Sequence, residues 1–487
     1  MNCIKLGKIR HATVVACTVF LFLTGCSPFK PTPRQEPVAP LPAAYSLYSE
    51  QETDTGKWWE SFGNAELNRM VEEALAANFD IRVAWANLRQ AGAEATQANA
   101  DKYPTLEMTG DYSHAREYVS STKRESTGES HSIGLGAGYE IDLWGRIRAN
   151  AMSGELDYMA SREDLKTSAM TVAGEVVTKW IEIQVQRRKK RIVAEQIKAN
   201  ETYLELIELR FRNSISTALD VYQQRENLAG VMAQLPQVES EEQLLLNELA
   251  FLLGKPVGSV TVTDAELPEL AELPHLGLPA DLLANRPDVQ SAGLALSSAD
   301  WAVSAARANR LPSLNLTGTG TYSGGQITTI FDNWALKLAA AVVGPIFDGG
   351  YRKAAVEKAR GEVDEKLATY ESTVYTAFKE VEDALTQEKW QKKYVEAKQR
   401  QLDASRVSLH EALSRYSQGL DTYLPVLSAL LSAQELEVSM AEYQMNLLLY
   451  RVELHRVLGG TWMNDLERPK ARSATAKSEN VSNEGQS

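Results

Sequence analysis

The stretch RYSQGLDTYLPV (415–426) interrupts a pattern that otherwise reads as one unbroken helix. RFRNSISTALDV (210–221) has the same outline 205 residues earlier: an Arg-aromatic pair, small residues, an acid and aliphatics. Both turns end unusually long segments. No proline occurs between Pro104 and Pro236, or between Pro345 and Pro425. Segments 146–211 and 352–417 are rich in Ala, Glu, Lys and Leu. Their apolar residues recur at helical spacing, as in Ala169, Val172, Ala173, Val176 and Trp180, then Ile197, Leu204, Ile207 and Phe211. At about 1.5 Å per residue, each helix spans roughly 100 Å. A compact domain has no use for such a helix; a coiled coil or a tube does. Return helices are predicted over 217–252 and 422–458, with helices 64–100 and 281–310 stacked beneath them.

The plan occurs twice. Leu75-Ala-Ala-Asn-Phe-Asp-Ile81 aligns with Leu283-Ala-Asn-Arg-Pro-Asp-Val289 at an offset of 208, and Tyr103-Pro-Thr-Leu106 with Leu311-Pro-Ser-Leu314 at the same offset. Trp144-Gly-Arg146 faces Gly350-Tyr-Arg352 at 206, and Arg210-Phe211 faces Arg415-Tyr416 at 205. An offset that drifts so little over half a chain marks a duplication. The repeats are placed at 58–254 and 281–460, joined by a linker at 255–280. Each contains a helix, a strand pair (about 104–143 and 312–347), a long helix, the turn and a return helix.

The strands alternate. Leu106, Met108, Gly110 and Tyr112 face one way, and Glu107, Thr109, Asp111 and Ser113 the other. Ile133, Leu135, Ala137, Tyr139 and Ile141 alternate with Ser132, Gly134, Gly136, Gly138 and Glu140. Leu314, Leu316 and Tyr322 oppose Asn315, Thr317, Thr319 and Thr321, and Trp334, Leu336 and Leu338 oppose Lys337. Such strands fit an outer-membrane barrel with a wet lumen. They also fit a soluble sandwich. Four strands do not close a barrel, for which about eight is the practical minimum, and lipid forbids open edges. A barrel built from this chain therefore needs several copies.

The N-terminus favours the barrel. Lys5, Lys8 and Arg10 precede an apolar run from Ala12 to Leu23, too short for a permanent span, that closes on Leu23-Thr-Gly-Cys26. Residues 1–25 read as a secretory signal. The ending resembles the bacterial lipoprotein box, in which Cys26 becomes the first residue and carries S-diacylglycerol and an N-acyl chain; an ordinary signal that happens to hold a cysteine is the alternative. By the same resemblance Ser27 directs the protein to the outer membrane. Residues 26–57, proline-rich at first, are expected to be an extended tether, and 461–487 a disordered tail. Cys3 and Cys17 leave with the signal, so no disulfide framework is possible. Removing Lys5, Lys8 and Arg10 takes the formal charge from −13 to −16, which argues against nucleic acid as a partner.

Several stretches together resemble one family. They are Trp58-Trp-Glu-Ser-Phe62, Leu67 through Asn78-Phe-Asp80, Tyr139-Glu-Ile-Asp-Leu-Trp-Gly145, Asn285-Arg-Pro-Asp-Val289, Arg307-Ala-Asn-Arg-Leu-Pro-Ser-Leu314 and Arg415-Tyr-Ser-Gln-Gly419. The family is that of the outer-membrane factors of Gram-negative tripartite pumps (TolC, OprM, CusC), and the match is nearest to its lipidated members. The resemblance covers residues 23 to about 460. It implies a homotrimer with a 12-stranded barrel, four strands per chain, continued by a 12-helix barrel in the periplasm. It also implies a passive exit duct for small toxic solutes or drugs, docked on a periplasmic adaptor and a proton-driven inner-membrane pump. A protein-secretion duct, or a structural lipoprotein spacer, is the alternative; a spacer has no need of amphipathic strands.

In that family the two turns form an iris. Asp220 matches an acid that latches the closed state, Tyr416 the tyrosine it contacts, Gly419 the turn glycine and Leu424 a leucine that narrows the lumen. Two positions depart from the pattern: Asp421 stands where a latch arginine is found, and Ser428 where an acidic ring is found. A hydrophobic, dewetting constriction is therefore expected. Local capping is the competing role. Thr217-Ala-Leu-Asp220 is a capping-box pattern, Asp421 or Thr422 suits an N-cap, and Pro425 falls harmlessly in the first turn.

No enzyme is indicated. The six histidines (11, 114, 131, 275, 410, 455) lack ligand spacing, the methionines are scattered, and Gly134-Leu-Gly-Ala-Gly138 is strand-like with no helix after it. Neither a metal nor any cofactor besides the lipid is expected. Residues 117–131 read as a polar loop.

Overall fold

A computed structural model describes residues 28–32, 41–47, 56–270, 272–274 and 276–468. The expected signal peptide over 1–25, Cys26, most of the expected tether, His275 and residues 469–487 lie outside the described residues. The elements are α1 (Ala65–Ala77), α2 (Phe79–Ala100), β1 (Thr105–Val119), β2 (Arg124–Ile141), α3 (Arg146–Arg212) and α4 (Ala218–Leu252). The second half follows with α5 (Leu282–Asn285), α6 (Pro287–Ala308), β3 (Ser313–Gly324), β4 (Asn333–Val343), α7 (Tyr351–Ser417) and α8 (Tyr423–Leu458). They fall into two compact units. One is drawn mainly from Asn87–Arg162 and Gln290–Thr373, the other from Leu41–Ala86, Glu163–Val289 and Val374–Ser487.

The first unit holds a single antiparallel sheet in the order β1-β2-β3-β4. Its register carries the alternation of each strand into the next. Met108 pairs with Leu135, Leu135 with Gly320, and Gly320 with Leu336. Tyr139 pairs with Leu316 and Leu316 with Ala340. One face is thus apolar across all four strands. The other carries Thr109, Gly134, Thr321 and Ala335, all on one line of partners. β1 and β4 are the outer strands, each with one row of backbone groups left unpaired in the sheet.

The two long helices start alike. The Asp142 carboxylate accepts from the amides of Ile147 (3.1 Å) and Arg148 (2.9 Å). Asp348 accepts from Gly350 (3.0 Å) and Arg352 (3.3 Å) in the second half. Each acid satisfies amides that the first helical turn leaves without partners.

In the second unit the repeated Asn78 and Arg286 motifs have one job. The Asn78 amide donates to the Leu252 carbonyl at the end of α4 (2.9 Å), and the Arg286 guanidinium donates to that of Val457 at the end of α8 (3.2 Å). Arg286 is buried, and its charge is met by Asp288 (2.6 Å) and Glu380 (2.7 Å). The next glycine after each return helix, Gly254 (φ +65°) or Gly459 (φ +77°), lies against the carbonyl of Ala77 or Asn285. A Cβ on Gly254 would meet that oxygen at 2.6 Å, so no larger residue fits. Around these joints lie Trp59 and Trp462, edge to face at 4.8 Å, and Trp58 stacked on His455 at 5.3 Å.

Five expectations need correction. Of the expected disordered tail, 461–487, the described residues 461–468 are ordered, with Trp462 and Met463 buried in a short 3-10 turn, Trp462–Asp465. Helix 64–100 is broken at Asn78, whose side chain accepts from the amides of Asp80 (2.8 Å) and Ile81 (3.3 Å) and starts α2 anew. Helix 281–310 is broken at Arg286, which the following Pro287 holds extended at φ −97°, ψ 117°. Residues 117–131 are not a loop. β1 and β2 stay paired out to Val119 and Arg124, with Arg116 on Glu125 and the His114 ring 3.5 Å from Glu129 across the strands, and only residues 120–123 turn. Within the tether, residues 41–47 are docked: Tyr45 is buried and stacks on Phe378 at 6.0 Å, and the Ser46 amide donates to Glu382 (2.7 Å).

Candidate gate at the two helix turns

Both turns are Schellman motifs. At the end of α3 the amide of Ile215 donates to the Arg210 carbonyl (2.9 Å) and that of Ser214 to Phe211 (2.9 Å). At the end of α7 Leu420 donates to Arg415 (2.9 Å) and Gly419 to Tyr416 (3.0 Å). The left-handed residue is Ser214 (φ +58°) in the first and Gly419 (φ +75°) in the second. The helices that follow begin differently. Thr217 and Asp220 form a complete capping box: the Asp220 amide donates to Thr217 Oγ1 (3.2 Å), and the Thr217 amide donates to Asp220 Oδ2 (2.8 Å). Ser216 also donates to that carboxylate (2.8 Å). Thr422 holds the N-cap position of α8 without a side-chain cap bond.

The predicted gate residues separate accordingly. Asp220 is engaged in its own cap, and the Tyr416 hydroxyl makes no hydrogen bond among the described residues. Within one chain the described residues form no Asp220–Tyr416 hydrogen bond. Tyr416 is instead buried (5% exposed), tilted against Tyr423 at 5.6 Å, with the Arg210 guanidinium 4.4 Å over its ring. Arg210 also donates to the Ser417 carbonyl (3.4 Å). Asp421 is not a cap: it pairs with Arg415 of the same turn at 2.5 Å, and that hydrogen bond holds its carboxyl below the usual carboxylate range. Leu424 is 58% exposed, and Ser428, one helical turn on, is exposed beside it.

Sequence reasoning missed a buried polar network in this same unit. Gln224 of α4, fully buried, donates to the carbonyl and to Oδ1 of Asn200 on α3 (both 3.0 Å), and its own Oε1 accepts from the Tyr423 hydroxyl at the start of α8. Asn227 donates to Asn200 Oδ1 (2.8 Å), and Asn200 to the Gln196 carbonyl (2.8 Å). Gln196 reaches the Gln434 carbonyl of α8 (3.0 Å). Burial and nearby negative charge push the Tyr423 hydroxyl's pKa well up, so it stays a donor. Polar residues three apart on one helix face, Gln224 and Asn227, are the only signal the sequence offers. Among the described residues no group of His, Cys, Asp and Glu is arranged to hold a metal ion.

An amphipathic four-stranded sheet and two long helical hairpins define a channel-forming chain of the outer membrane. The chain belongs to the outer membrane efflux protein family, whose pattern matches residues 70–255 and 278–460. It is 31% identical over 473 residues to the pyoverdine export outer membrane protein OpmQ of Pseudomonas putida, covering 94% of this chain and 98% of that one. It is 29% identical over 459 residues to the toluene efflux pump outer membrane protein TtgI of the same species, covering 91% and 97%. The solved outer-membrane channel OprN superposes with a TM-score of 0.83 at 26% identity, over 90% of this chain and all of that one.

Proposed function

We propose that three copies of this chain close one barrel in the outer membrane and form the exit duct of a tripartite efflux pump. The single observation behind this reading is the sheet. An apolar face continuous through four strands suits lipid, and a face of threonine, glycine and serine suits water. The unpaired edges of β1 and β4 are tolerable in lipid only when another copy pairs with them. An acylated Cys26 would add an anchor to the barrel. A periplasmic adaptor and a proton-driven inner-membrane pump complete the assembly, and small organic solutes, the class named in the relatives, are its cargo.

The gate reading places Leu424 on the axis. Three exposed leucines make an apolar ring that excludes water without charge, in keeping with Asp421 being spent on Arg415 and Ser428 being neutral. Native mass measurement of detergent-extracted protein should return a trimer. Leu424→Ser should raise single-channel conductance in planar bilayers. A monomer with an intact sheet would overturn the barrel; unchanged conductance would overturn the ring.

A further inference from the structure

We propose that the Tyr423–Gln224 hydrogen bond is the latch that holds the second helix turn against the first and keeps the gate shut. The inference rests on the gate reading above. Tyr423 and Leu424 are consecutive residues in the first turn of α8, about 100° apart around its axis. Tyr423 is 2% exposed and points into the cluster of Ile207, Val221, Tyr416, Val426 and Leu427, whereas Leu424 points out. Any rotation or outward swing of α8 that withdraws Leu424 must therefore pull Tyr423 out of its site. Leaving that site costs more than apolar contact. Gln224 is fully buried, and its Oε1 loses its partner when the hydroxyl departs, while its amide stays committed to Asn200.

The network also explains why Gln224 is a fixed anchor. Asn200 on α3 and Gln224 and Asn227 on α4 bond one another, so the first hairpin is zipped by its own polar side chains. The equivalent positions of the second hairpin offer only Ser405 and Ser432, exposed and 3.5 Å apart. The first hairpin is the post and the second the door. Arg210, stacked over Tyr416, is a further contact between them at the turns, and Gln196 on Gln434 and Lys189 on Glu442 tie them farther along the helices.

The test is conductance of the intact trimer with Tyr423→Phe, which keeps the ring and removes the hydroxyl, and with Gln224→Met, which keeps the volume and removes the acceptor, along with two bonds to Asn200 that lie within the first hairpin and are common to both gate states. Each should shift the closed-to-open ratio by about fivefold, the size of one net buried hydrogen bond. The double variant should open no further than either single one, with trimer yield and melting behaviour held near the parent's. Closed channels in both single variants, or additive opening in the double, would overturn the latch. Leu424→Ser measured alongside keeps the two ideas apart. A rise with Leu424→Ser but none with Tyr423→Phe leaves the ring without this latch; the reverse leaves the latch closing on a different constriction.

Discussion

At the first turn Ser214 takes the left-handed position, Thr217 and Asp220 cap the helix that follows, and Phe211 is 46% exposed. At the second, Gly419 takes that position, Thr422 caps nothing, and Tyr416 is buried. The backbone hydrogen bonds are the same. What differs is where the stability comes from. The first turn is held by its Schellman bonds, the Thr217–Asp220 box and the Ser216–Asp220 bond, all within its own few residues. The second is held by docking: Tyr416 and Tyr423 pack on Ile207 and Val221 of the first hairpin. A duplicated unit has thus diverged into one part with a side-chain cap of its own and one whose added support is docking. The second kind is the one suited to move, since undocking breaks the Tyr423–Gln224 bond and apolar contact but leaves the bonds within its own turn intact.

The largest expected effect separates the two aromatics. Tyr416→Ala removes a buried ring from a packed cluster and should cost about 3–5 kcal/mol. Phe211→Ala removes a half-exposed one and should cost about 1 kcal/mol. Native-state hydrogen exchange of the helix-end amides reads both losses. Equal losses would break the comparison in an informative way, because they would mean that a neighbouring copy covers Phe211 as this chain covers Tyr416.

The long helices were legible because nothing interrupts them. With no proline and a sustained helical period, α3 ends at Arg212 and α7 at Ser417, within a residue of the predicted 211 and 417. The strands were legible because one face is apolar. Where that signal stops, at Ser113 and beyond, the ribbon read as a loop although its backbone pairs on to Val119. The helix break at Asn78 was hidden because asparagine is a weak interrupter until its side chain finds the amides of Asp80 and Ile81. Of the gate, Asp220 was legible as a cap from its spacing to Thr217. Asp421 was not, because its partner is a matter of turn geometry: the Schellman motif brings Arg415 beside it. The latch was least legible. Asn200, Gln224 and Asn227 look like surface residues, and burial of amides shows only once three helices are packed around them.

A smaller effect concerns the left-handed residues. A Cβ on Gly419 would meet nothing within 4 Å, so the cost of Gly419→Ala is the φ of +75° alone. That cost is about 1 kcal/mol. Ser214 already carries such a strain, and Ser214→Gly should return a similar amount, about 1 kcal/mol. Opposite signs in denaturant midpoints at the two turns would confirm that they share one backbone. A loss with Ser214→Gly would show that the Ser214 side chain holds the first turn in a way its backbone does not.

The smallest effect should come from the ion pair that stands where a latch arginine was expected. Arg415 and Asp421 are six residues apart on one turn, exposed to solvent, and neither reaches the first hairpin. Such a pair is screened and contributes little. The Asp421 carboxyl is held below its unfolded value of 3.8 by the Arg415 hydrogen bond. What the pair contributes is therefore present above that value and lost as the pH falls through the depressed one. At neutral pH Asp421→Asn should leave conductance unchanged, and only below the carboxylate range should parent and variant converge in stability. An Asp421→Asn channel that opened at neutral pH would reverse the comparison. It would mean that the second turn is held by its own charges after all, and that docking of Tyr416 and Tyr423 is not what keeps it in place.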